Sequence, residues 1–592
     1  VELFIFYSRE AFDLSSAPYR LYVHHGLIEA YSFGEPETWR NFNTAHIHLA
    51  TDARADVVED IERLAEQLAG RNLPVNRWIA TRDLLGAAHS MVQYAYLDQG
   101  FERHVWRRFF TAILSEPQIL KFGFYKLQVL VSPMARLVKA DLASQPIPIE
   151  LHIQSNRPAW LRHAWLWLKN RKTESANLLR GQPKYDRQTA RARKRILYFV
   201  GPTRHLFELF THFFHLSEVS AKYHVLVVLY NKEFGIGGFE TGANNALNSV
   251  PHDITTLEDW QPFQMFSTSH KSWFEELSNL SPATRGLSDI DSISYYENWY
   301  RALDVAIQDY QPDVVLHNNI YDPGRVLSDV ARYHKVPSVN VQYSLFSDLP
   351  SNRYSIQFDV RAHINEWTRQ LFIRNGGPSL CQEVIGYLKL DEIEEVKIDR
   401  PALEQKHGLV SGQRTVFFGS TYNYSYDYEK VVFAERLVAI CARHGWNLLI
   451  KKHPLERDSL VADAIARSGY TRVRVLTHAE IPLAEAVSIS DLITNQSSGL
   501  VLEALYYRKP FVYLSLDTSR PEYYKAIDEP FIPLLSTEAE IEAYLVESLT
   551  DSGLRRLQEQ FEGIREKYLY RTDGKASERL LTIIERLSHP KA

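Results

Sequence analysis

The chain has 592 residues, 45% of them hydrophobic and 23% charged, with a formal net charge of −5. That length implies roughly two to four domains, and the small negative balance excludes a global nucleic-acid surface, so any anion site must be local. Two cysteines, Cys381 and Cys441, lie far apart without metal-type spacing, which excludes a disulfide framework and a zinc site and makes a reducing cytosol the expected compartment.

No run of about eighteen apolar residues marks a membrane span. The opening "VELFIFYSRE" has neither a starting Met nor signal-peptide character, so a piece of a longer protein is expected. Aromatic usage is high, with 33 Tyr, 29 Phe and 11 Trp. Flat rings suit sugar faces, although most should be core.

Residues 1–150 read as an α+β domain. "TAHIHLATD", a helical pattern over 57–68 and "PVNRWIAT" form a βαβ unit, and helical periodicity fills most of 81–143. Acceptor binding, oligomerisation or the remnant of another catalytic module are the roles open to it. Residues 151–194 form a basic connector. Eleven Lys or Arg between 157 and 194 face only Glu174 and Asp186, and Trp160, Leu161, Trp165, Leu166 and Leu168 interleave with Arg157, Arg162 and Lys169. Such a segment suits either an interfacial helix on an anionic membrane surface or, the favoured reading, a Trp-rich helix packed on the next domain with a solvated basic face.

Residues 195–400 alternate strand and helix: "RILYFVG", "HVLVVLY", a helix near 293–310, "DVVLHNN", a helix near 325–334, "PSVNVQYS", then "FDVRAHINEW" and "EVIGYLKLDEI" as the last strands. Between 231 and 288 periodicity is poor and a long loop is expected. Residues 401–592 repeat the alternation: "TVFFG", a helix near 428–444, "NLLI", a helix near 459–468, "VRVL", a short helix near Leu483, "LIT", a helix from Leu500, and "FVYL", with amphipathic stretches near 538–549, 554–568 and 575–587 closing the domain. Alternation of this kind implies parallel sheets covered by helices.

Two motifs in the second set carry chemistry. "NLLIKKHP" runs an apolar strand into Lys451, Lys452 and His453, placing cations where open α/β sheets bind ligands. "LITNQSSGLVLEAL" ends a strand in Ser497, Ser498 and Gly499, hydroxyls and backbone N–H groups at a helix start, which attract anions. Gly419, Ser420 and Thr421, ending the first strand of this set, are expected to approach the same ligand.

The order of "HP" and "SS", each after an apolar strand and followed by "EAL" and "KPFVYL", resembles bacterial glycosyltransferases of the GT-B fold, a group including capsule Kdo transferases, several sialyltransferases and the CDP-glycerol polymerases of teichoic acid synthesis. The resemblance spans roughly 195–587 and implies two Rossmann-like domains with a cleft between them, following the N-terminal α+β domain. It implies that His453, Ser497 and Ser498 hold the donor's phosphate and that Glu503 reaches the ribose. Gly386 and Asp391 resemble the interdomain crossing of these enzymes, with a hinge over 390–414 around Pro401 and Gly408, and the last helix is expected to cross back to the first domain.

Sugar transfer requires a stabilised leaving phosphate and an acceptor hydroxyl deprotonated by a base. Cations and hydroxyls can replace a metal at the leaving group, so neither a metal nor a bound cofactor is expected; the donor is a nucleotide sugar, with CMP-linked Kdo or another nonulosonate ahead of CDP- and UDP-linked ones. Asp289 and Asp291 have DxD spacing but no preceding apolar strand. The base is expected from the first domain: Asp322 in "NNIYDPGR", or His205 or Glu208 in "GPTRHLFE". In an enzyme that retains configuration, one of these carboxylates would be the nucleophile. Gln342, Tyr343 and Ser344 stand where related enzymes carry Gln-His-Gly. The acceptor is expected to be a surface glycan or its lipid-linked precursor, with the protein cytoplasmic or peripheral at the inner face of the membrane. The alternatives are an isomerase like UDP-GlcNAc 2-epimerase and a noncatalytic binding module of an assembly complex.

Overall fold

The computed structural model describes residues 185–200, 210–229, 253–256, 260, 292–318, 322–342, 345, 358–374, 381–392, 399–420, 427–453, 456, 460–477, 479–496, 498–516, 518 and 525–588, together with four strands of the first 184 residues. Those strands, β1 (Glu2–Phe6), β2 (Arg20–His24), β3 (Lys126–Val129) and β4 (Leu151–Ile153), pair in parallel in the order β2-β1-β3-β4. The βαβ unit expected over 44–81 and the Trp-rich part of the connector lie outside the described residues.

A seven-stranded parallel sheet follows, made of β5 (Lys194–Val200), β6 (Tyr223–Leu229), β7 (Asp253–Thr256), β8 (Val314–His317), β9 (Ser338–Val341), β10 (Val360–His363) and β11 (Cys381–Val384), in the order β11-β10-β9-β8-β5-β6-β7. A six-stranded parallel sheet completes the fold: β12 (Thr415–Gly419), β13 (Asn447–Lys451), β14 (Val473–Leu476), β15 (Leu492–Asn495), β16 (Phe511–Leu514) and β17 (Leu534–Leu535), ordered β14-β13-β12-β15-β16-β17. The architecture is therefore α/β with two successive Rossmann-like sheets, the GT-B arrangement. The central strands are apolar almost without alternation because helices cover both faces. Ile196, Leu197, Tyr198 and Phe199 of β5, and Val416, Phe417 and Phe418 of β12, are wholly buried.

Three details depart from the sequence reading. The long loop expected over 231–288 contains β7, whose "DITT" is too short and polar to signal a strand but pairs along β6. β17 went unread for the same reason, being two residues long. The expected hinge over 390–414 contains a 3-10 turn, Leu388–Glu392, and a helix, Arg400–Lys406. That helix is fixed to the last sheet: Arg400 forms a bidentate pair with the buried Asp491 at 2.9 and 2.8 Å, and Asp491 also accepts from the Thr415 amide at 2.7 Å. Burial alone would raise the Asp491 carboxyl; the bonds from Arg400 and Thr415 outweigh it and hold the group below its ordinary value.

The helix Ala576–Leu587 turns back to the middle sheet, as expected. Lys222 pairs with Glu585 at 2.6 Å, Arg579 donates to the Ile385 carbonyl at 2.9 Å, and Arg586 pairs with Glu383. Gly386, at φ +98°, makes the bend after β11; a Cβ there would stand 3.4 Å from Ala576 Cβ, but the backbone angle itself demands glycine.

Candidate functional site

In the six-stranded sheet the chain starts at β12, builds outward through β13 and β14, then returns to the other side of β12 with β15. The carboxyl ends of β12 and β15 therefore bound the topological switch point, where open α/β sheets bind ligands. Register places Gly419 between Lys451 on β13 and Asn495 on β15. A Cβ on Gly419 would stand 2.4 Å from Leu500 Cδ2, so glycine lets the helix Leu500–Tyr506 close onto the strand end.

Lys451 is 6% exposed; burial, with the nearby charge of Lys389, pulls its ammonium down to about 8. The turn after it is shaped by Glu456, which the sequence reading passed over. This buried carboxylate accepts from Ser420 Oγ and from the His453 amide at 3.3 Å, and pairs with buried Lys430 at 3.2 Å. Glu456 N returns a bond to the His453 carbonyl at 2.9 Å. Ser420 and His453, both expected at the ligand, are thus tied to one group. Its signal in the sequence was the spacing: a carboxylate three residues after the His of "HPLE", able to fold back on the turn it follows.

Ser498 is half-buried, and its Oγ accepts from the Leu500 amide at 3.3 Å; Gly499 is the residue before the helix. Glu503, one turn on, is buried and ion-paired with Lys389, and its Oε2 has no hydrogen-bond partner. Lys389, on the 3-10 turn after β11, also escaped the sequence reading. Asn495 is fully buried with neither amide atom partnered. Lys452 is fixed through its amide to the Leu476 carbonyl at 2.9 Å. Ser497 and Thr421 lie outside the described residues.

The middle sheet has its own switch point, between β5 and β8, where Phe199 stands opposite His317. His317 Nδ1 donates to the Phe199 carbonyl at 2.6 Å, and burial draws the imidazole down to about 4, so it is neutral at ordinary pH. Asp322 is the first residue of the helix Asp322–Tyr333 following β8. His205 and Glu208 fall in the segment after β5, outside the described residues, as do Asp289, Asp291, Tyr343 and Ser344. Gln342 is spent on structure: its Oε1 accepts from the Ile364 amide at 3.3 Å and faces His363 Nδ1 at 3.3 Å. At 2% exposure it is packed within the strand ends.

Among the described residues no group of three or more His, Cys, Asp or Glu gathers to hold a metal ion, and no helix is long and apolar enough to cross a membrane.

No protein-family model matches the chain. It is similar to the teichoic acid ribitol-phosphate polymerase TarK of Staphylococcus aureus, with 24% identity over 193 residues; these are 30% of this chain, and the match covers 35% of that protein. The chain thus aligns with about a third of the relative's length. Among solved structures it is similar to the UDP-GlcNAc 2-epimerase of Neisseria meningitidis bound to UDP-GlcNAc, at 17% identity and a TM-score of 0.46 over 66% of this chain and 100% of that one. It is also similar to the Methanocaldococcus jannaschii epimerase in complex with UDP-GlcNAc and UDP, at 14% identity and a TM-score of 0.43 over 66% and 99%.

Proposed function

We propose that this protein is a transferase of the GT-B type that moves a sugar or polyol phosphate from a nucleotide-activated donor to a bacterial surface polymer. The observation that carries the reading is the juxtaposition of Lys451, Gly419 and Asn495 at the switch point of the last sheet, beside the His453 turn and the Ser498 helix start. That set offers cations and unsatisfied polar groups to a phosphate while the glycine leaves room for close approach. Similarity to a ribitol-phosphate polymerase favours a polyol-phosphate polymer and, by the family resemblance, a CDP-linked donor; the CMP-linked nonulosonate expected from the sequence gains no support from it.

In this reading His453, Lys451, Lys452, Ser497 and Ser498 stabilise the departing phosphate, and Glu456 holds the turn and Ser420 in place. Asp322, His205 or Glu208, which all follow strands flanking the switch point of the middle sheet, supplies the base that takes the acceptor's proton. Docking at an anionic membrane through the connector would bring a lipid-linked acceptor within reach.

The test is a calorimetric titration with CMP, CDP, UDP and GDP on the wild type, His453→Ala and Ser498→Ala. One nucleotide should bind and both substitutions should weaken it, by about tenfold or more. Should none bind, the site assignment falls; should one bind without turnover by any matching donor, or with epimerisation alone, the transferase reading falls.

A further inference from the structure

Lys389 and Glu503 come from different parts of the fold. Lys389 rides on the 3-10 turn Leu388–Glu392 after the middle sheet, Glu503 on the helix that follows β15 of the last sheet, and they form an ion pair. The pair is uneven. The Lys389 side chain is 43% exposed and that of Glu503 only 6%, and one carboxylate oxygen, Oε2, is buried without a hydrogen-bond partner. A brace serving stability alone would be expected to satisfy both oxygens, because a half-satisfied buried carboxylate costs more than it returns.

At the neighbouring strand end stands a second side chain short of partners. Asn495 has both amide atoms buried and unbonded. On β13, Lys451 is buried, and the charge of Lys389 adds to burial in disfavouring its ammonium. An anion entering beside Lys451 and Lys389 would relieve the repulsion that Lys389 exerts on Lys451, while a ligand hydroxyl would satisfy Glu503 Oε2 or Asn495 Oδ1.

We propose that Lys389 is a phosphate ligand of the donor site, held in place by Glu503 and transferred to the ligand's phosphate when a nucleotide enters, so that the two lysines, 389 and 451, clasp the phosphate and Glu503 is released for the ribose contact that the family resemblance already implies. This rests on the reading of the switch point as a nucleotide site. It makes the segment after β11 part of the donor site. The same turn carries Asp391, which accepts from the amides of Ala576 and Ser577, so phosphate capture would act on the segment that joins the two sheets.

The experiment is calorimetric titration of the whole chain with CDP, UDP and inorganic pyrophosphate, on the wild type, Lys389→Met, Glu503→Gln and the double variant Lys389→Met/Glu503→Gln. Lys389→Met should lose about tenfold in affinity for whichever of these binds. Glu503→Gln should bind pyrophosphate more tightly than the wild type, because the Glu503 carboxylate no longer competes with the phosphate for Lys389. The double variant, which leaves no uncompensated buried charge, should unfold at the wild-type temperature and still bind pyrophosphate as weakly as Lys389→Met. Affinities of the Lys389 variants within about twofold of the wild type would overturn the proposal while leaving the nucleotide site standing. So would a Glu503→Gln variant that loses pyrophosphate as Lys389→Met does, since the pair would then be a brace. A wild type that binds none of the three overturns this inference, and one that also fails to bind CMP and GDP removes the nucleotide site with it.

Discussion

Asp391 Oδ2 accepts a hydrogen bond from the Ser577 amide at 2.6 Å, and its Oδ1 accepts from Ala576 at 3.1 Å, although the residues are 186 and 185 positions apart in the chain. The helix Ala576–Leu587 has no cap from its own preceding residue, Lys575, so a carboxylate from the segment after β11 satisfies its first amides. Asp391→Ala should lower the unfolding free energy by about 0.5–2 kcal/mol, with Asp391→Asn retaining part of it. Denaturant unfolding monitored by circular dichroism measures this, and an Asp391→Ala variant as stable as the wild type would dismiss the cap.

Glu456 concentrates three connections of the His453 turn in one buried group. Glu456→Ala strands the Lys430 ammonium, whose side chain has no exposure, and should cost about 3–5 kcal/mol. Lys430→Met/Glu456→Leu removes both charges and should cost much less. Equal losses in the two proteins, read from urea midpoints at constant m-value, would count against the buried pair as the cause.

Gly419→Ala tests the close approach at the strand end. The added Cβ meets Leu500 Cδ2, a buried side chain with little room to retreat, so a loss of about 1–3 kcal/mol is expected together with weaker nucleotide binding. Shortening the obstacle with Leu500→Val should recover part of both. If thermal unfolding and titration show no change in Gly419→Ala, the contact is not tight.

Lys451 confers a pH dependence whose sign is fixed. With its ammonium near 8, it is charged below that pH and neutral above, so phosphate affinity should fall as pH rises through about 8. The same depression acts oppositely on stability. Between about 8 and the ordinary lysine value the unfolded chain holds a proton that the folded one lacks, so this group's contribution to stability rises with pH there. Titrations from pH 7 to 9.5 on the wild type and Lys451→Met should show the affinity change only in the wild type.

Much of this architecture was readable because parallel, doubly covered strands announce themselves as apolar runs. "TVFFG", "NLLI", "LIT" and "FVYL" each became a strand, and the helices between them fell within a few residues of their expected bounds. The backbone places of Lys451 and Ser498 were readable too, Lys451 ending its strand and Ser498 closely following one. What the sequence withheld was pairing at a distance. That Glu503 meets Lys389, 114 positions away, or that Ser420 is held by Glu456, depends on which strand ends become neighbours, and no local period encodes that. Gln342 shows the converse: it ends its strand as expected, but the neighbouring strand claims its side chain.

The strand order has a temporal side. β12 gains one neighbour, β13, after a single intervening helix, but the strand on its other flank, β15, arrives only after β14 and two further helices have been laid down. The half of the crevice bearing Lys451 therefore closes through short loops, while the half bearing Asn495 and Ser498 requires a longer and slower closure. An intermediate holding only the first half would have the lysines without their opposing wall. Under the proposed function, nucleotide affinity would accordingly mark the moment the last sheet is complete.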